Sequence, residues 1–527
     1  MAQPWPLHPA GEGVFHRGES CNPLLDGACG LLGSLDRGPC RLAGSHASHP
    51  IPRSRSPSCE PQVARGRFGK LPATSDAKAA CILKRVPLEL AVVCNSFGMG
   101  GAAKAAVTYA LHHNRTRVRL RAIALTELGV RAAELKAGGI EVVCAQDDPD
   151  RLAQQLRGVD VVHVHRFGSV EPLLPAACRA AGIEGLIETN VFGWRDTSPD
   201  DDQFSAHLHI SQMCAMRYRK RASLDLEAFH SRHRTLYYPV DIDALRADAP
   251  SRAEAHALLG LDPGRPTVVR IGREDDRKWG DILVEMVPHL LRLVPDVQVV
   301  LVGATPHRRA QLRRLGVLER VRCLPSSSEP RRVAACYGAA DVFASASSIG
   351  ESFGLAIAEA MAVGVPVVTS STPWVDNAQV EVVDNGVNGW VANHPRAFAE
   401  AVADLLGDER RRLAFGAAAA EKVSASWHPA KLTRELERLF EAVSATGLPP
   451  PEWTPGIAEQ AAFEADYPRR AAAQFRALSP REQREASWAV LRERAGWAWR
   501  DLRADPVSGG RTLAGLALAR LASRRPG

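Results

Sequence analysis

Two glutamates, Glu351 and Glu359, are separated by seven residues in the stretch IGESFGLAIAEAMAVGVPVV. A carboxylate offers two acceptor oxygens and so holds a vicinal diol through both hydroxyls. After Glu351 comes Ser352-Phe353-Gly354-Leu355, a glycine turn that leads into an alanine-rich helix. Amides at a helix start lack intrahelical partners and attract an anion. A nucleotide sugar carries one diol on its ribose, others on its sugar, and a diphosphate between them. Two acids flanking an amide-rich turn match that layout. The competing reading makes Glu351 a helix-start acid stabilised by the dipole and Glu359 a solvated residue.

Three other stretches carry chemistry. In VVRIGREDDRKWGD, Arg273 and Lys278 leave the end of a strand beside three acids that would tether the loop. A planar guanidinium and a compact ammonium held together suit a diphosphate, although surface loops are commonly charged as well. In NSFGMGGAAK, Gly98, Gly100 and Gly101 would let backbone approach a ligand and open a helix whose amides face an anion, or would merely join strand to helix. In DVVHVHRFG, His163 and His165 fall on one side of a strand near its end. Paired histidines on a strand bind zinc, but no third or fourth ligand has suitable spacing and no C-x-x-C pair occurs, so no metal is expected. His165, nearer the strand end, would donate to a sugar hydroxyl or to the reacting region; a buried, satisfied histidine is the alternative.

Open parallel sheets bind ligands at the carboxyl ends of their strands, and each of these stretches follows a predicted strand. From LELAVVCNSF onward, short apolar runs (VRLRAIAL, IEVVCA, VDVVHVH, IEGLIETN, HLHIS, RTLYYPVDI) alternate with helical patterns. A second series (TVVRIGR, VQVVLVGA, VRCLP, DVFASAS, VPVVTS) follows, with helices such as WGDILVEMVPHLLRLV and AFAEAVADLLG between strands. Alternation of this kind predicts parallel sheets covered on both faces. The fold class is therefore α/β, with two Rossmann-like doubly wound domains at residues 86–245 and 246–445.

The chain of 527 residues exceeds one ordinary core. Its net charge of +7 is spread along the sequence, and aromatic residues make up only 6%, which speaks against nucleic-acid binding. Residues 1–85 are rich in Pro, Ser, Gly and Arg without a sustained period and are expected to be disordered. Met1 is not followed by a charged-then-apolar leader, and no apolar run is long enough to span a membrane. The 11 cysteines show no regular pairs, which fits a reducing cytoplasm. Residues 446–527 form a linker and a basic helical tail. There Ser479 and Glu482 are spaced as a capping box, and Trp488, Leu491, Ala495, Trp499 and Leu502 fall on one helical face. That face of the 479–503 helix either packs on the second domain or on a partner subunit, or contacts the inner face of a membrane peripherally.

The succession RIGREDDRKW, GESFGLAIAEAMAVGVPVV and EVVDNGVNGWVAN resembles the retaining family 4 glycosyltransferases (glycosyl transferases group 1), over roughly residues 88–445. The resemblance implies the GT-B fold, two Rossmann-like domains facing a central cleft. It implies that Glu351 contacts the donor sugar and Glu359 the nucleotide ribose. The amides of Phe353, Gly354 and Leu355 would then meet sugar and phosphate, and Arg273 and Lys278 the diphosphate. Gly100 and Gly101 match the family's glycine turn, and His165 its strand-end histidine. The sequence departs from the pattern at Lys104, where many relatives carry an acid or amide. It departs again in TPWVDNAQVEVV, which lacks a glycine before the acid although Glu381 remains, and in IETNVFGWRD.

The activity so implied is metal-independent, retaining transfer of a hexosyl group from a nucleoside-diphosphate sugar to the hydroxyl of a carbohydrate or lipid-linked acceptor, in polysaccharide or glycoconjugate biosynthesis. No cofactor is expected. The alternatives are a GT-B nucleotide-sugar epimerase or hydrolase, or a non-catalytic GT-B partner subunit.

Overall fold

The computed structural model describes residues 87–167, 172–453 and 455–504, the last eight of these by backbone only. The expectations for residues 1–85 and for the end of the tail, including the side chains of Trp499 and Leu502, lie outside the described residues. The described residues up to Val490 form one compact unit, and residues 491–504 belong to a second.

The first sheet holds seven parallel strands: β1 (Leu88–Ser96), β2 (Val118–Glu127), β3 (Glu141–Cys144), β4 (Val161–Arg166), β5 (Gly185–Asn190), β6 (Ala206–His209) and β7 (His233–Thr235), in the order β3-β2-β1-β4-β5-β6-β7. The second holds six: β8 (Thr267–Ile271), β9 (Gln298–Val302), β10 (Val321–Leu324), β11 (Val342–Ser345), β12 (Val367–Thr369) and β13 (Gly389–Val391), ordered β10-β9-β8-β11-β12-β13. Both reverse direction beside their first strand, so each has a crevice at its carboxyl edge. The strands are apolar on both faces because helices cover both. In β1, Leu90, Val92 and Cys94 enter one core while Ala91 and Val93 enter another, the period of two expected of a strand.

Local chemistry accounts for three differences from the sequence reading. WGDILVEMVPHLLRLV forms two helices, Asp281–Glu285 and Val287–Leu293, because Pro288 has no amide to continue the ladder. In RTLYYPVDI only His233–Thr235 pairs with the sheet; Tyr237 and Tyr238 turn away to pack against Phe353 of the second domain. The helix Pro429–Thr446, placed in the second domain by sequence position, packs back on the first. Phe440 and Val443 enter the core that Leu90 and Val92 line, and Glu437 accepts from the Asn114 amide at 2.8 Å.

The following segment straps the two sheets together. Pro450 and Trp453 meet the first domain, where Arg234 donates to the Pro450 carbonyl and the Trp453 indole to the Thr235 carbonyl. The helix Ile457–Ala471 then pairs Glu464 with Arg219 on one side. On the other it pairs Arg470 with Asp384 at 2.8 Å and accepts from Asn377 at the Tyr467 hydroxyl. The helix Pro480–Ala504 starts with the expected capping box, the Ser479 amide donating to Glu482 at 2.9 Å and the Glu482 amide to the Ser479 hydroxyl at 3.3 Å. Its first turns meet the second domain through His394 and Glu485, while Trp488 is exposed. No described helix is long and apolar enough to cross a membrane.

Candidate active site

The loop after β11 brings the two glutamates to the carboxyl edge of the second sheet. Gly350 has φ +65°, and a Cβ there would lie 1.7 Å from the Asp376 carbonyl, so only glycine lets the loop turn against its neighbour. Gly354 (φ +96°) caps the helix Leu355–Ala362 in the left-handed region, without help from a side chain. Glu351 is fixed by its backbone: its amide donates to the Gln379 side chain at 3.0 Å, and its carbonyl accepts from the Ala378 amide at 2.7 Å. The Phe353 ring is buried against Trp427, Tyr237 and Tyr238, so of this residue only the backbone is left at the turn, beside the amides of Gly354 and Leu355. None of these three amides meets an acceptor among the described residues.

The basic pair divides. Lys278 donates to Glu351 at 2.9 Å and stands 3.5 Å from the Gly350 carbonyl. The Arg273 guanidinium is more than half exposed, and its acid partner is Asp275 at 3.6 Å rather than either site glutamate. The sequence reading missed a cation beneath them. Arg270 of β8 is buried over the Trp279 ring and donates to the carbonyls of Ile271 and Lys278. Burial disfavours its charge, while Glu351 and Tyr337 restore part of that loss. Strand alternation placed this residue in the core, and only the three-dimensional path of the basic loop reveals its role.

Glu359 does not face solvent. It is 5% exposed and receives the Tyr337 hydroxyl at 2.7 Å. Burial and the neighbouring carboxylate push the Tyr337 phenol well up, so it stays a donor. The second oxygen of Glu359 pairs with Lys104, which reaches across from the first domain.

The first sheet contributes differently. Gly100 has an ordinary extended backbone (φ −67°) and precedes the helix Gly101–His112. A Cβ on either Gly100 or Gly101 would meet nothing within 4 Å. What these glycines provide is open space beside a helix start, not a special torsion. His165 is 5% exposed at the end of β4, in register with Cys94 and Thr189. Neither of its ring nitrogens has a partner among the described residues, and burial pulls its pKa down to about 3. An unsatisfied buried ring of this kind costs about 1–3 kcal/mol, a cost that a ligand hydroxyl would relieve. His163, by contrast, has one partner, the Thr189 hydroxyl 2.7 Å from its Nε2, and only its Nδ1 is left without one among the described residues.

Below that edge lies a buried network. Arg166 donates to Glu188 at 2.9 Å and Asp196 at 2.8 Å, and His207 meets Glu188 at 2.6 Å. Glu188, Asp201 and His207 come close enough to hold an ion, but the Arg166 guanidinium already supplies the positive charge to this cluster. The junction between the sheets joins backbone and side-chain donors to acceptors of the other domain. Glu381 receives the amides of Gln212 and Met213 at 3.0 and 3.1 Å and the Tyr237 hydroxyl at 2.8 Å, so an acid of the second domain caps a helix of the first. Ser211 also donates to the Ser352 carbonyl at 2.7 Å, fixing the first domain directly to the loop that carries Glu351.

This architecture is the GT-B fold. A protein from Rickettsia africae, a glycosyltransferase by name, superposes with a TM-score of 0.56 at 15% identity, over 68% of this chain and 98% of its own. Anabaena HepE, solved with UDP and glucose, gives 0.54 at 19%, over 66% and 98%. Residues 265–408 match the family described as glycosyl transferases group 1. A D-inositol 3-phosphate glycosyltransferase of Nocardia farcinica is 36% identical over 352 residues, 60% of this chain and 76% of the relative. A GDP-mannose-dependent alpha-(1-6)-phosphatidylinositol monomannoside mannosyltransferase of Mycolicibacterium smegmatis is 35% identical over 202 residues, 36% of this chain and half of the relative's length. The chain belongs to the group 1 glycosyltransferases.

Proposed function

We propose that the protein transfers a hexosyl group, with retention at the anomeric carbon, from a nucleoside-diphosphate sugar to an acceptor hydroxyl. The observation that carries this reading is the segment Glu351–Glu359: two carboxylates on either side of three unpartnered amides, with Lys278 at one end. The donor's sugar meets Glu351, its ribose Glu359, and its diphosphate the amides and Lys278. As the carbon–oxygen bond breaks, negative charge grows on the departing diphosphate, where preorganised donors act most strongly. Arg270, held beneath the loop, adds positive potential without touching the ligand. No side chain of the site is an activated nucleophile, which suits attack from the leaving group's own face. His165, neutral and unpartnered, donates to a donor hydroxyl beside the reacting carbon. Neutralisation by fixed cations and amides leaves no step that needs a metal.

The names of the relatives support a polyol or lipid-linked polyol as acceptor, in glycoconjugate biosynthesis. The test is turnover by the purified chain with UDP-, GDP- and ADP-sugars, preceded by a thermal-shift screen to choose the base. Acceptor-dependent release of nucleoside diphosphate, an axial product linkage from an axial donor, and undiminished rate in EDTA are expected. Release at equal rate without any acceptor would replace transfer by hydrolysis.

A further inference from the structure

Lys104 is one of the positions at which the sequence departs from the pattern it resembles, and the structure gives it a specific partner. It lies in the first turn of the helix Gly101–His112, its amide donating to the Gly100 carbonyl at 3.0 Å. That helix has no acid in its first turn and no side-chain cap, so its amides and Lys104 form a positive end. Lys104 spans the cleft to Glu359. The pair is asymmetric: the Lys104 side chain is 29% exposed and that of Glu359 only 7%. The acid is anchored by Tyr337, whereas the lysine is the partner free to move.

A ribose diol needs both oxygens of a carboxylate turned toward it. Here one is held by Lys104, while the other accepts from Tyr337 and keeps a lone pair to offer. A neutral nucleoside would have to displace an ammonium and leave it without a partner. A nucleoside diphosphate brings the replacement: its phosphates enter beside Gly100 and Gly101, where no protein atom stands in the way of even an added Cβ. We infer that Lys104 is a specificity-determining residue that exchanges Glu359 for the donor's diphosphate, so that the ribose site opens only to a ligand carrying its own negative charge. The inference rests on the proposed placement of the ribose at Glu359.

The experiment compares binding of three probe pairs, uridine with UDP, guanosine with GDP and adenosine with ADP, by calorimetry on the full chain and on Lys104→Met, Lys104→Gln and Lys104→Arg. Circular dichroism and thermal melts establish that each variant is folded. For the base that the wild type binds, Lys104→Met and Lys104→Gln should bind the nucleoside about tenfold more tightly and the diphosphate no better or less well, the scale of one charged hydrogen bond. Lys104→Arg should keep the wild-type ratio of the two affinities. Equal changes for nucleoside and diphosphate in the Met and Gln variants would overturn the inference while leaving the donor site standing. Failure of every diphosphate to bind the wild type would overturn the donor site, and the role of Lys104 with it.

Discussion

At the carboxyl edge of the first sheet Lys104 reaches across the cleft, while Arg166, Glu188 and Asp196 are closed into a buried network beside the neutral ring of His165. At the edge of the second sheet each glutamate meets a partly exposed lysine, Glu351 the neighbouring Lys278 and the buried Glu359 the Lys104 of the first domain. A site that must accept a dianionic bridge needs cations that exchange one partner for another, and such exchange is affordable only where water still reaches them. A site that must receive an uncharged hydroxyl needs fixed, neutral donors in a dry wall. Under the proposed reaction the two edges divide the work, although their sheets share a strand order through the first six strands.

The contrast can be broken from either side. Lys278→Ala should lower kcat by about a hundred- to a thousandfold with the fold intact, as loss of one preorganised donor does elsewhere; steady-state kinetics with circular dichroism would show it. Phe440→Ala, which removes the ring packed on His113 and His163, should cost about 3–5 kcal/mol in denaturant titrations, because it opens a cavity under the edge of the first sheet.

Acid should weaken that edge too. Burial lowers the pKa of His163, His165, His209 and His233 below the ordinary 6.5, that of His165 to about 3. Below pH 6.5 the unfolded chain therefore takes up protons that the folded one refuses, and stability falls as pH falls toward 3. Each such group contributes a slope of up to about 1.4 kcal/mol per pH unit. His165→Gln should flatten the fall in melting temperature between pH 6.5 and the acid limit, and leave it unchanged above pH 7.5. The smallest effect is expected at Arg273. Its guanidinium is largely in water, so Arg273→Ala should raise KM for the donor by no more than about tenfold, well short of the Lys278 result.

Strand runs and glycine turns were legible because burial on both faces leaves a short apolar word between breakers, and the loop after β11 because its acids flank a turn. Other features depend on distance along the chain. Lys104 and Glu359 are 255 residues apart, and neither residue's surroundings in sequence point to the other. Arg270 sits where alternation predicts a core side chain, and its hydrogen bonds to carbonyls carry no sequence signature. The helix Pro429–Thr446 has an apolar stripe, but a stripe does not say which sheet it will cover. How each glutamate is held was not legible either: Glu351 is fixed by its backbone with one cation, Glu359 is buried between a phenol and a lysine.

The return of Pro429–Thr446 to the first domain bears on how the polypeptide is born. Strands β4 and β5 leave the ribosome long before the segment that shields them. At about 5–20 residues per second, the interval between the end of the first sheet and that helix is on the order of ten to forty seconds. Throughout it, the nascent chain presents an uncovered apolar flank to the cell, and it becomes competent to bury that flank only once residues 429–446 have emerged.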